Sequence, residues 1–123
     1  MRQPECQEIL IDVGMPVLHE SNLYNCRILF LNAKILLIRP KMFLANDGNY
    51  RETRWFQAWT RGMELVDYAL PKDIVEISGQ QSVPMGNGIL VSDDGVRIGI
   101  ESCEELFTPK RYIFKKSDRG VPI

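Results

Sequence analysis

The residues best suited to chemistry lie in Val96–Leu106, which reads Val-Arg-Ile-Gly-Ile-Glu-Ser-Cys-Glu-Glu-Leu. Apolar and polar positions alternate up to Ile100, the pattern of a half-buried strand. The run then breaks into Ser102, Cys103 and two acids, Glu104 and Glu105. A thiol placed where a strand ends can enter a cleft and attack a carbonyl carbon. Cysteine is also among the most frequently buried residue types, so spacing alone leaves an inert packing role open.

A thiol nucleophile needs a base for its proton, donors for the developing oxyanion and a group that orients the substrate. The usual base is histidine, and His19 is the only one in the chain; it lies in a Gly-Met-Pro-Val-Leu-His stretch read as loop, with nothing else to mark it. Lys41 directly follows Pro40, and Glu52 lies in Tyr50-Arg51-Glu52-Thr53-Arg54. An ammonium group beside a thiol favours the thiolate and can donate to an oxyanion. The alternatives are a solvated lysine after a proline and a structural Glu52–Arg54 pair. Cys6, Cys26 and Cys103 are scattered, without the paired spacing of a zinc site, so no metal is expected.

These side chains need a scaffold to position them. Glu8–Val13 predicts a short strand bounded by Gly14 and Pro16, after a loose lead-in over residues 1–7. Asn25–Leu31 and Lys34–Arg39 predict a hairpin across Asn32-Ala33, and Pro40 stops its second strand by removing a backbone donor. From Lys41 to Gly62 periodicity fails; turn residues Asn46–Asn49 and the aromatics Trp55, Phe56 and Trp59 predict a long packed surface excursion. Pro71–Ile77, closed by Gly79, predicts one or two helical turns. Ile89–Val91 and Val96–Ile100 flank Ser92-Asp93-Asp94-Gly95, a strong hairpin signal.

Bulk properties narrow the function classes. A chain of 123 residues is at most one domain and can bury a core. A net charge of −1 gives no global attraction to nucleic acid or to an acidic membrane. The longest apolar run, near Ile28–Ile38, is broken by Asn32 and Lys34 and is too short to span a bilayer. An odd cysteine count, with no secretory leader pattern, predicts a reducing compartment and a cytoplasmic location. Lys110, Arg111, Lys115, Lys116 and Arg119 make a basic run that is read as a solvated tail.

Taken together, three groups of residues resemble a known family. They are Tyr24-Asn25-Cys26-Arg27; Ile38 through Glu52 with Arg54-Trp55-Phe56; and Ile98-Gly99-Ile100-Glu101-Ser102-Cys103-Glu104-Glu105-Leu106-Phe107-Thr108-Pro109. In this order they resemble the nitrilase-like (carbon–nitrogen hydrolase) glutaminase domain of eukaryotic-type glutamine-dependent NAD synthetases. The resemblance runs from about Ile9 to Pro109.

The resemblance implies an α/β fold: part of a nitrilase-like α-β-β-α sandwich, strand-rich and about half the domain. Cys103 matches the nucleophile that attacks the glutamine side-chain amide. Lys41 matches the lysine that stabilises the tetrahedral intermediate, together with the backbone N–H of Glu104. Glu52 matches a further glutamate supporting that lysine. The implied reaction releases ammonia from glutamine for the ATP-dependent amidation of deamido-NAD to NAD.

The expected domain plan is a partial glutaminase domain over 1–109 and a divergent basic tail over 110–123. The family's general-base glutamate, from a segment before Ile9, and its synthetase domain, which uses ATP and Mg2+, are expected to be absent. No cofactor is therefore expected on these residues, and the chain by itself is expected to be inactive. Expected partners are glutamine and, as in the family's homo-oligomers, the full-length enzyme. The alternatives are a non-catalytic interaction piece docking on that enzyme and a stand-alone amidase of the nitrilase superfamily.

Overall fold

The computed structural model describes residues 3–108 and 120–123. Two sheets are stacked. The larger has five strands in the order β1-β2-β3-β5-β4: β1 (Ile11–His19), β2 (Asn22–Leu31), β3 (Lys34–Pro40), β4 (Leu65–Ala69) and β5 (Ser82–Gly86). The smaller has the order β7-β6-β8, from β6 (Ile89–Val91), β7 (Arg97–Ile98) and β8 (Gly120–Pro122). One α-helix, α1 (Lys72–Ser78), links β4 to β5 and ends on Gly79 in the left-handed conformation.

Alternation along the strands splits the apolar residues into two layers. Cys26, Ile28, Ile38 and Met85 pack on one face with Ile74 and Val75 of α1. Leu29 and Leu37 face the other way and meet Leu90 and Val121 of the smaller sheet. Leu29, Leu37 and Leu90 are fully buried, and each side chain so removed from water contributes about 1.5–3 kcal/mol. The result is a helix–sheet–sheet stack, strand-rich α/β architecture as expected. Arg39 lies two residues beyond Leu37, so the same alternation turns it toward the layer between the sheets, where it is buried.

Both predicted hairpins form. β2 and β3 pair antiparallel, with Asn32 and Ala33 both at positive φ, as a type I′ turn requires. β6 and β7 pair across Ser92–Val96, although β7 is only two residues long. A further hairpin joins β1 to β2 through Glu20 and Ser21, again both at positive φ.

The first strand differs from expectation. It begins at Ile11 and runs through Gly14 and Pro16 to His19, so His19 is in a strand and not a loop. β1 is an edge strand, where proline's missing donor need not interrupt a ladder. β4 and β5 were not predicted, nor was β8, which lies at the end of the stretch read as a tail and pairs parallel with β6. The basic run at 110–119 lies outside the described residues. No helix among the described residues is long and apolar enough to cross a membrane.

Candidate active site

Lys41 is the first residue after β3 and is only 4% exposed, so the solvated alternative for it does not hold. Its backbone is fixed from both sides: its N–H donates to the Asn25 carbonyl at 2.8 Å, and its carbonyl accepts from Trp59 N–H at 3.0 Å. Trp59 is buried against Tyr24, with ring centroids 5.6 Å apart, and so anchors the far end of the excursion in the core. Trp55, by contrast, is exposed.

Glu52 opens a short 3-10 turn and reaches Lys41 rather than Arg54. Lys41 Nζ lies 2.5 Å from Glu52 Oε2, Ala45 N–H donates to the same oxygen at 2.5 Å, and Asn25 Nδ2 donates to Oε1 at 2.8 Å. Burial pushes the Glu52 carboxyl pKa up. The hydrogen bonds from Lys41, Ala45 and Asn25, with the Lys41 charge, outweigh that and hold it below the ordinary carboxylate range. A carboxylate held ionised in this way is a counterion for Lys41 and is poorly suited to accept a proton near neutral pH.

Cys103 does not end a strand. β7 stops at Ile98, and the cysteine opens a 3-10 turn, Cys103–Phe107, with its own φ at +53°. A non-glycine residue in that region costs about 1–3 kcal/mol and persists only where its surroundings enforce it. The side chain is exposed, and among the described residues no partner hydrogen-bonds its sulfur. His19 is elsewhere, its ring beside Trp59 and Tyr68 at 6.3 and 5.9 Å.

The turn is secured by Glu105, which is 3% exposed. Its Oε2 accepts from Arg39 Nη1 at 2.5 Å and from Ser102 N–H at 2.9 Å, and its Oε1 accepts from Met42 N–H at 2.6 Å. Arg39 also donates to Asn87 Oδ1 at 3.2 Å. Neither Arg39 nor Glu105 was singled out from the sequence, nor was Asn25 given a role. One signal was available: Ser102-Cys103-Glu104-Glu105 has the Ser-x-x-Glu spacing of a capping box, in which the glutamate returns to the backbone N–H of the serine.

An open cleft of about 510 Å3 is lined by Met42, Thr53 and Glu104, the residues that follow Lys41, Glu52 and Cys103, with Phe43, Leu44 and Phe56 among others; Lys41, Glu52 and Cys103 themselves are not in its lining. It joins the end of the Lys41 strand to the turn that begins at Cys103. Among the described residues no cluster of three or more His, Cys, Asp or Glu could hold a metal ion.

A carbon–nitrogen hydrolase family model matches residues 1–123. The chain belongs to the carbon–nitrogen hydrolase family. This carbon–nitrogen hydrolase chain is 46% identical over 123 residues to the glutamine-dependent NAD(+) synthetase of Drosophila melanogaster, an alignment covering all of the chain and 16% of that protein. It is 54% identical over 109 residues to the Homo sapiens glutamine-dependent NAD(+) synthetase, covering 89% of the chain and 15% of that protein. A crystal structure of a glutamine-dependent NAD(+) synthetase from Cytophaga hutchinsonii superposes with a TM-score of 0.67 at 32% identity, over 80% of the chain and 15% of that one. The chain thus spans about one-sixth of the length of the curated relatives it matches.

Proposed function

We propose that this chain is the glutaminase part of a glutamine-dependent NAD synthetase. The observation that carries the proposal is that a buried Lys41–Glu52 pair and the exposed Cys103 turn are both tied to the end of β3. In the proposed reaction the Cys103 thiolate attacks the carboxamide carbon of glutamine, and the carbonyl electrons move onto oxygen. The Lys41 ammonium group and the Glu104 backbone N–H stabilise that oxyanion. Collapse expels the nitrogen as ammonia once it has gained a proton and leaves a glutamyl thioester on Cys103. Water then releases glutamate and restores the thiol.

Glu52 is held ionised and keeps Lys41 in place, so the proton leaving the thiol must go to a group other than Glu52. The ammonia feeds the ATP-dependent amidation of deamido-NAD.

The reading is tested with a chloromethyl ketone analogue of glutamine, followed by peptide mapping. Saturable modification of Cys103 that free glutamine blocks is the expected result. Modification no faster than by chloroacetone, and insensitive to glutamine, would overturn the reading.

A further inference from the structure

We infer that Glu105 is a positioning residue, whose carboxylate holds the Cys103 turn against the strand end that presents Lys41. The inference deepens the glutaminase reading by naming what brings its two halves together. Both carboxylate oxygens are in use, and the groups they accept from lie on both sides of the site. Met42 N–H is one residue past Lys41, and Ser102 N–H is one residue before Cys103. Arg39, two residues before Lys41, supplies the countercharge and is itself steadied by Asn87, the residue just after β5.

The chemistry of the group fits this task. A carboxylate accepts several hydrogen bonds through two oxygens, whereas an amide side chain has one acceptor oxygen and an alkyl side chain has none. Buried charge is expensive unless fully partnered. Here the partnering is spent on two backbone donors that flank the candidate catalytic residues. The left-handed φ of Cys103 needs a surrounding constraint, and Glu105 supplies one two residues away.

The test is a double-mutant cycle on the full 123-residue chain, read as the rate of Cys103 alkylation by iodoacetate relative to iodoacetamide. Peptide mapping separates Cys103 from Cys6 and Cys26. The two reagents differ in charge, so their ratio senses Lys41 and is insensitive to a general change in exposure. In the parent chain, Lys41→Met is expected to lower the ratio about threefold or more, because the positive charge that the inference brings to the sulfur is lost. In Arg39→Met/Glu105→Met, which leaves no unpaired buried charge, the same Lys41→Met change is expected to move the ratio less than about 1.5-fold.

An undiminished Lys41 effect in the unclamped background would overturn the inference, as would the absence of any effect in the parent chain. Circular dichroism checks that the unclamped chain is folded. If it is not, Glu105→Gln replaces it, and the Lys41 effect must then fall by at least about half, because Met42 N–H and Ser102 N–H meet different carboxylate oxygens and one of them would face the amide's NH2 group, a donor, instead. Failure of the glutaminase reading shows separately, as loss of glutamine-blocked labelling while the Lys41 effect persists.

Discussion

Replacing Lys41 by Met removes the ammonium group but keeps an unbranched apolar stem of similar reach. The lysine is 4% and Glu52 18% exposed, so the pair is screened little by water. Stranding a buried charge costs about 3–5 kcal/mol. Glu52 would keep two of its three donors, Ala45 N–H and Asn25 Nδ2, and retains some access to solvent. A loss of about 2–3 kcal/mol at pH 7 follows, a large part of the roughly 6–18 kcal/mol available to a chain of this length.

The pH dependence carries the sign. In the parent chain the folded Glu52 pKa lies below its unfolded value. Its contribution is therefore present above the unfolded value of about 4.3 and is lost as pH falls through the lower folded value. In Lys41→Met the Lys41 hydrogen bond and charge no longer oppose burial, so the folded pKa rises. The stability gap between the two chains should narrow as pH falls from 7 toward 4. Urea titrations followed by circular dichroism measure it, with Lys41→Met/Glu52→Gln as the partner variant that removes both charges and recovers about 1 kcal/mol or more. A gap that stays constant with pH, or a coupling energy below about 0.5 kcal/mol, would refute the reasoning.

Three further outcomes are expected. At pH 8 iodoacetamide should modify exposed Cys103 and leave Cys26, whose thiol burial pushes up to about 12 despite the opposing Arg39 charge; equal labelling by mass spectrometry would contradict this. Gly86→Ala should cost at least about 2 kcal/mol in thermal or urea melts, since overpacking and backbone strain combine there: φ is +149° and a Cβ would lie 2.2 Å from the Glu64 carbonyl oxygen. Ala33→Gly should stabilise by about 0.5–1 kcal/mol, because the left-handed region is strained for alanine and free for glycine; Ala33 has φ +64°, and a lower melting temperature would contradict this.

Local chemistry made several elements legible. The Asn32-Ala33 turn, the Ser92–Gly95 turn and the Gly79 stop are each set by residues a few positions apart, and each forms where expected. β5 carries Pro84 and Gly86 and gains its place only by lying between β3 and β4. Its identity depends on neighbours 13 to 47 residues away, which no local pattern encodes. The site divides in the same way. Lys41 and Glu52 could be proposed from residue type and resemblance, and the choice between a solvated and a buried Lys41 needed the fold. Arg39 read as the polar end of a strand until alternation and the second sheet turned it inward to Glu105.

The two ion pairs of the site close chain loops of very different size. Lys41 and Glu52 are 11 residues apart, and Arg39 and Glu105 are 66 apart. Loop-closure entropy scales as (3/2)RT ln n, so the longer closure costs about 1.6 kcal/mol more. During folding the lysine and its counterion can therefore assemble early, from the β2–β3 hairpin and the adjoining excursion. The thiol arrives late, when Glu105 finds Arg39 and Met42. A chain still emerging from the ribosome can close the Lys41–Glu52 pair well before the nucleophile is tied down.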